Sequence, residues 1–138
     1  MQKHVALIAV LAAACSSAPI QYYGVAPQGL GTAYDCAVAQ LNTMGYVIEA
    51  ATDGIVVKGR KYRSGDHYPD HDVLSAAVYD NPRTGETNLR VTVTATVWDT
   101  VGDGPVEVMG GPSKTGKADA RSLLHQCGVG DVVTPPNA

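Results

Sequence analysis

Phenylalanine is absent from this chain, tryptophan occurs once, and no apolar run exceeds the ten residues from Val5 to Ala14. Without Phe, the core must be built from Val, Leu, Ile, Ala and Tyr. A surplus of positive charge is also missing. Ten Lys and Arg stand against thirteen Asp and Glu for a formal charge of -3, which argues against a broad polyanion binder, nucleic acids included. With 45% hydrophobic and 17% charged residues, wholesale disorder and a polytopic membrane protein are excluded as well. Catalytic signatures are sparse. There is no Gly-x-Ser-x-Gly elbow, and beyond the N-terminal segment the histidines are His67, His71 and His125, none at a recognisable spacing from a nucleophile. Asp99, Asp103 and Glu107 are scattered carboxylates. The expectation is a non-enzymatic protein with no cofactor.

What is present begins at the N-terminus. Met1-Gln2-Lys3-His4 is a short basic head, and the apolar run follows it directly. Together they offer about 15 residues of helix against roughly 20 for a stable span, the proportions of an export signal. The run ends Leu11-Ala12-Ala13-Ala14-Cys15-Ser16-Ser17, which resembles the lipobox of bacterial lipoproteins, where small residues precede an acylated Cys. That family prefers Leu three places before the Cys; here Leu11 stands four before it and Ala12 takes the expected position. Ala12-x-Ala14 also fits an ordinary secretory cleavage site. The resemblance implies lipidation of Cys15, removal of residues 1–14 and a membrane partner through the lipid. In lipoproteins of enteric type a Ser after the Cys, unlike Asp, does not signal inner-membrane retention, so Ser16 implies an outer-membrane anchor facing the periplasm.

The chain has three cysteines, Cys15, Cys36 and Cys127. If Cys15 carries the lipid, an even pair remains, and an oxidising periplasm would let Cys36 and Cys127 join. Two buried free thiols are the alternative.

Residues 15–28, small, Pro-containing and uncharged, read as the acylated Cys and a flexible tether; residues 129–138 read as a tail. Residues 29–128 form the single domain. Leu30, Ala33, Ala37, Leu41 and Met44 fall on one helical stripe closed by Gly45. Tyr46 to Ala50 and Ile55 to Lys61 flank Asp53-Gly54, a hairpin signal. Val73 to Tyr79 and Thr87 to Trp98 flank a second turn at residues 81–85. In the last strand Leu89, Val91, Val93, Ala95 and Val97 alternate with Arg90, Thr92, Thr94, Thr96 and Trp98, so one face is expected buried and one wet. Ala120, Leu123, Leu124 and Cys127 mark a final helix stopping at Gly128. The order helix, four strands, helix predicts a two-layer α+β sandwich: a four-stranded antiparallel sheet with both helices on one face. This element order is similar to the small helix-grip domains of outer-membrane assembly lipoproteins.

Three constellations invite chemistry. Gly111-Pro112-Ser113-Lys114-Thr115-Gly116-Lys117-Ala118 matches a phosphate-binding loop except at its last position, where Ala118 lacks the metal-binding hydroxyl. An antiparallel sheet also lacks the crossover such a loop needs, so no nucleotide is expected and Ser113 or Thr115 reads as a helix cap. Asp66, His67, Asp70, His71 and Asp72 are five potential metal ligands in seven residues, of which His67, Asp70, His71 and Asp72 are the candidate set. On a straight strand His67 and His71 would stand about 13 Å apart, so a divalent site requires a sharp turn at 68–70. Lys58, Arg60, Lys61 and Arg63 form the basic cluster. Lys58, Arg60 and Tyr62 should share the wet face, a candidate interaction surface with Trp98 as a second anchor. Outside the cytoplasm, phosphate-bearing lipid or lipopolysaccharide would be the available polyanion; a charged strand guarding an edge is the simpler explanation. The leading expectation is an accessory or interaction domain with an envelope protein partner. The alternative is a periplasmic ligand or divalent-metal binder using residues 66–72.

Overall fold

The computed structural model describes residues 18–63, 70–101 and 104–134. Its elements run β1 (Ile20–Val25), α1 (Leu30–Thr43), β2 (Val47–Thr52), β3 (Val56–Arg63), β4 (Asp70–Asp80), β5 (Thr87–Val101), β6 (Gly104–Gly110) and α2 (Lys114–Gln126). The class is α+β, as the hydrophobic periods predict. Among the described residues, however, the sheet has six strands and not four, in the order β1-β5-β4-β3-β2, with β6 also paired to β5. All these pairings are antiparallel.

Both extra strands come from segments read as irregular. β1 lies inside the stretch assigned to the tether, and β6 inside the Gly-rich loop. The 15-residue β5 accommodates them. One of its edges takes β4, from Thr87 to Thr96. Its other edge takes β1 over Asn88 to Val93 and then β6 from Ala95 to Val101. The expected tail also begins as an ordered edge: Val129 is buried, and Val133 bridges Tyr23, donating its N–H to the Tyr23 carbonyl at 2.8 Å.

Strand alternation places Tyr22 of β1, Val57 of β3, Leu74, Ala76 and Val78 of β4, and Leu89, Val91 and Val93 of β5 in one core with Ala33, Ala37 and Leu41 of α1 and Ala120, Leu123 and Leu124 of α2. Both helices therefore cover the same sheet face. Tyr22, Tyr34 and Tyr46 supply the aromatic bulk that the missing Phe would otherwise give. Tyr46 lies over Gly59, where an added Cβ would come within 2.9 Å of the Tyr46 Cβ, so this contact depends on glycine. The helices are joined by the Cys36–Cys127 disulfide, with Cα atoms 5.7 Å apart.

Candidate functional site

β3 divides its basic residues between two faces. Lys61 and Arg63 point to the helix side, where each meets carboxylate. Lys61 Nζ lies 3.2 Å from Asp119 Oδ2, and Arg63 lies 3.4 Å from Asp72 and 3.9 Å from Asp70. The Tyr46 hydroxyl donates to the same Asp119 oxygen at 2.9 Å, and burial followed by the charge of Asp119 pushes its phenol far above the usual tyrosine range. This network ties β2 and β3 to α2.

The phosphate-loop motif resolves into helix-capping chemistry. Ser113 precedes α2; its hydroxyl accepts from the Gly116 N–H at 2.9 Å and donates to Asp72 Oδ1 at 2.6 Å. A Cβ at Gly116 would stand 3.2 Å from Val93 Cγ1 and 3.5 Å from Asp72 Cγ. The glycine lets α2 settle on the sheet, and the serine oxygen is already committed on both sides.

The metal-ligand set is divided by strand parity. β4 turns Asp70 and Asp72 toward Arg63 and the helices, and turns His71 to the opposite face. There His71 meets the Tyr62 ring edge-on, with centroids 6.2 Å apart. His67, like Asp66, lies outside the described residues, as does Cys15. Among the described residues no group of three or more His, Cys, Asp or Glu could hold a metal ion.

The other face gathers the candidate interaction residues. Lys58, Arg60 and Tyr62 lie on it, and Trp98 follows at the far end of β5, opposite Glu107 of β6. The register of β2 shifts between Ile48 and Ala50, an irregularity that lets Glu49 stand between the two cations. Glu49 accepts from Lys58 Nζ at 3.1 Å and from Arg60 Nε at 2.9 Å. Arg60 Nη1 in turn donates to Glu107 Oε1 at 2.6 Å. In the sheet, β4 and β5 separate the strands of Arg60 and Glu107. Such a bond requires the sheet to curl, with this face concave and the β5–β6 ribbon bent back across it. Val73, on the same face, is accordingly only 3% exposed, so the face expected to be wet is partly covered. Between β3 and β6 lies a groove of about 350 Å³, with Lys58 and Arg60 on one wall, Val73 and Thr94 in its floor, and Glu107 and Met109 opposite.

The carboxylates respond to this setting. The neighbouring Thr96 hydroxyl, then the hydrogen bond from Arg60, hold the Glu107 carboxyl below its ordinary 4.5. Glu49 is pushed up by burial, but its hydrogen bond from Lys58 and the charge of Arg60 prevail and hold it below the same value. A carboxyl whose pKa is depressed by folding contributes stability that is present above the unfolded value and is lost as pH falls through the folded one. The ribbon should therefore loosen in acid, below pH 4.5. Trp98 emission followed from pH 7 to 2 should shift in that range, and in Glu107→Gln the shift should shrink. The pairs are partly exposed and worth roughly 0.2–1 kcal/mol each, so the whole domain should remain folded through most of the change. A transition identical in both proteins would contradict this assignment.

Lys58, Arg60, Tyr62 and Trp98 were legible because parity along β3 and β5 assigns them one face. Glu49, Glu107 and Met109 were not. Asp103-Gly104 followed by alternating Val106, Glu107, Val108 and Met109 is a hairpin signal that could have found two of them. Comparison with protein-family models, with curated proteins and with solved structures found no match to this chain.

Proposed function

We propose that this chain is a bacterial envelope lipoprotein without enzymatic activity, a small accessory or interaction domain held at the outer membrane, on its periplasmic side, by an acylated Cys15. One observation carries the reading. With Cys36 and Cys127 bonded to each other, Cys15 is the one cysteine left of three, and it stands directly after the apolar run and its three alanines. The disulfide itself suits an oxidising compartment. The helix-grip likeness keeps only its coarsest support, two helices on one face of an antiparallel sheet, since β1 and β6 lie outside that element order.

The position of β1 changes what the anchor implies. Only Ser16 to Pro19 separate Cys15 from the first strand, a reach of about 15 Å when fully extended. An acylated Cys15 would hold the domain close to the headgroups, not at the end of a long tether. Among the described residues no helix is long and apolar enough to cross a membrane. The metal-binding alternative gains little from the structure, because β4 separates His71 from Asp70 and Asp72.

Mass spectrometry of the mature N-terminus tests the proposal. A di- or triacylated Cys15 is expected, and Cys15→Ala should block maturation or move the protein from the membrane fraction to the soluble one. A mature chain that begins at Cys15 or later without acyl groups would overturn it.

A further inference from the structure

The groove contains a charge count that its visible contacts leave open to exchange. Lys58 and Arg60 share Glu49, so the three together carry one net positive charge. That charge is directed into the groove by Arg60 Nη1. Thr94 and Thr96 line the same space. Against this charge the described lining of the groove sets a single carboxylate, Glu107, held at 2.6 Å by Arg60. Glu107 remains one-third exposed, at 34%, so its place is reachable from solvent. Val47, Tyr62 and Met109 rim the same face as exposed apolar side chains, with Trp98 partly exposed beside them. Aromatic residues, Met and Arg are the types enriched in the centres of protein interfaces.

We propose that the groove between β3 and β6 is a docking site for a partner-protein segment that presents one carboxylate between apolar residues, and that Glu107 is its internal stand-in, displaced when the partner binds. The proposal rests on reading the chain as an interaction domain. The match is one of charge and form: the triad offers one positive charge and a guanidinium edge, and its resting occupant is a singly charged carboxylate with Val106 and Val108 on either side in sequence. Because the internal ligand is tethered, a free segment competes with it, and the observed affinity falls by the fraction of molecules whose groove is open.

The occupant's own sequence supplies the probe. The peptide GPVEVMG, residues 104–110, should bind the full chain weakly and bind Glu107→Gln about tenfold more tightly, since the substitution weakens the competing contact. Emission from Trp98, the chain's one tryptophan and the register partner of Glu107, reports the exchange. Replacing the peptide's Glu by Gln, or introducing Arg60→Gln into the Glu107→Gln protein, should abolish binding, while circular dichroism confirms that both variants are folded. Absence of peptide binding to Glu107→Gln, or equal binding of the Gln peptide, would overturn the proposal. So would inorganic phosphate or anionic vesicles that shift Trp98 in an Arg60-dependent way while the peptide does not. None of these readouts depends on the lipid, so failure here is separate from failure of the Cys15 anchor, which mass spectrometry alone decides.

Discussion

Removing the Cys36–Cys127 bond, by reduction or by the double substitution Cys36→Ala and Cys127→Ala, should lower the stability of the domain by about 4–5 kcal/mol. The size follows from the 91-residue separation of the two cysteines. A crosslink between such distant points removes loop-closure entropy from the unfolded chain, and the native state loses little in exchange because α1 and α2 already pack on one sheet face. Cys127 is fully buried among Leu123, Leu124 and Val129, so the double variant also loses some packing. Reduction of the unsubstituted protein keeps both sulfurs and isolates the crosslink term. For a domain of this size the loss corresponds to a fall in Tm on the order of 15–25 °C. Denaturant titrations of the oxidised and reduced forms check it, and a difference below about 1 kcal/mol would show that the unfolded state is already restrained in some other way. Thiol counting on unfolded, unreduced protein adds a second readout. No free thiol is expected if Cys15 is acylated, and one if it is not.

The same helices show why part of this fold could be read in one dimension. α1 and α2 declare themselves because their buried residues recur at helical spacing, with Gly45 and Gly128 at positive φ just beyond their ends. β3, β4 and β5 are equally plain, as each has a turn signal on one side and branched apolar residues within. β1 is different. Its inward positions are Ile20, Tyr22 and Gly24, and two prolines, Pro19 and Pro27, flank it, so composition suggests a linker. Its strand character is conferred by β5, nearly seventy residues further along the chain, and no local signal reports such a partner. β6 is obscured by Pro105 and the glycines at either end. The groove suffered twice from this. Its basic wall was visible in β3, but the opposing carboxylate belongs to β6, and the register irregularity that brings Glu49 between Lys58 and Arg60 is a property of pairing. The acidic and histidine cluster at 66–72 shows the same limit from the other side. Whether its ligands converge depends on strand parity as well as on a turn, and β4 turns His71 away from Asp70 and Asp72.

The hidden edge strand leads to the other large stability effect, at Gly24. A Cβ built there would overlap Val129 Cγ1 and stand 2.8 Å from the Asp131 carbonyl oxygen. The valine can turn aside, but the carbonyl belongs to the segment that bridges Tyr23 through Val133, so it moves only if that bridge opens. Gly24→Ala should therefore cost about 1–3 kcal/mol even though alanine in place of glycine ordinarily restrains the unfolded chain to advantage, and Gly24→Val should cost at least as much as the alanine change. Hydrogen exchange at the Val133 amide, which donates to the Tyr23 carbonyl, should accelerate before global unfolding in both variants. A double-mutant cycle with Val129→Ala separates the two contacts. Removing the valine methyls relieves one overlap and should give a favourable coupling on the order of 0.5–3 kcal/mol, yet leave the Val133 amide exposed because the Asp131 oxygen is still in the way. If Gly24→Ala proves neutral, or if Val129→Ala restores full protection at Val133, residues 129–133 are not an obligatory edge of the sheet and the carbonyl contact is not what requires glycine at position 24.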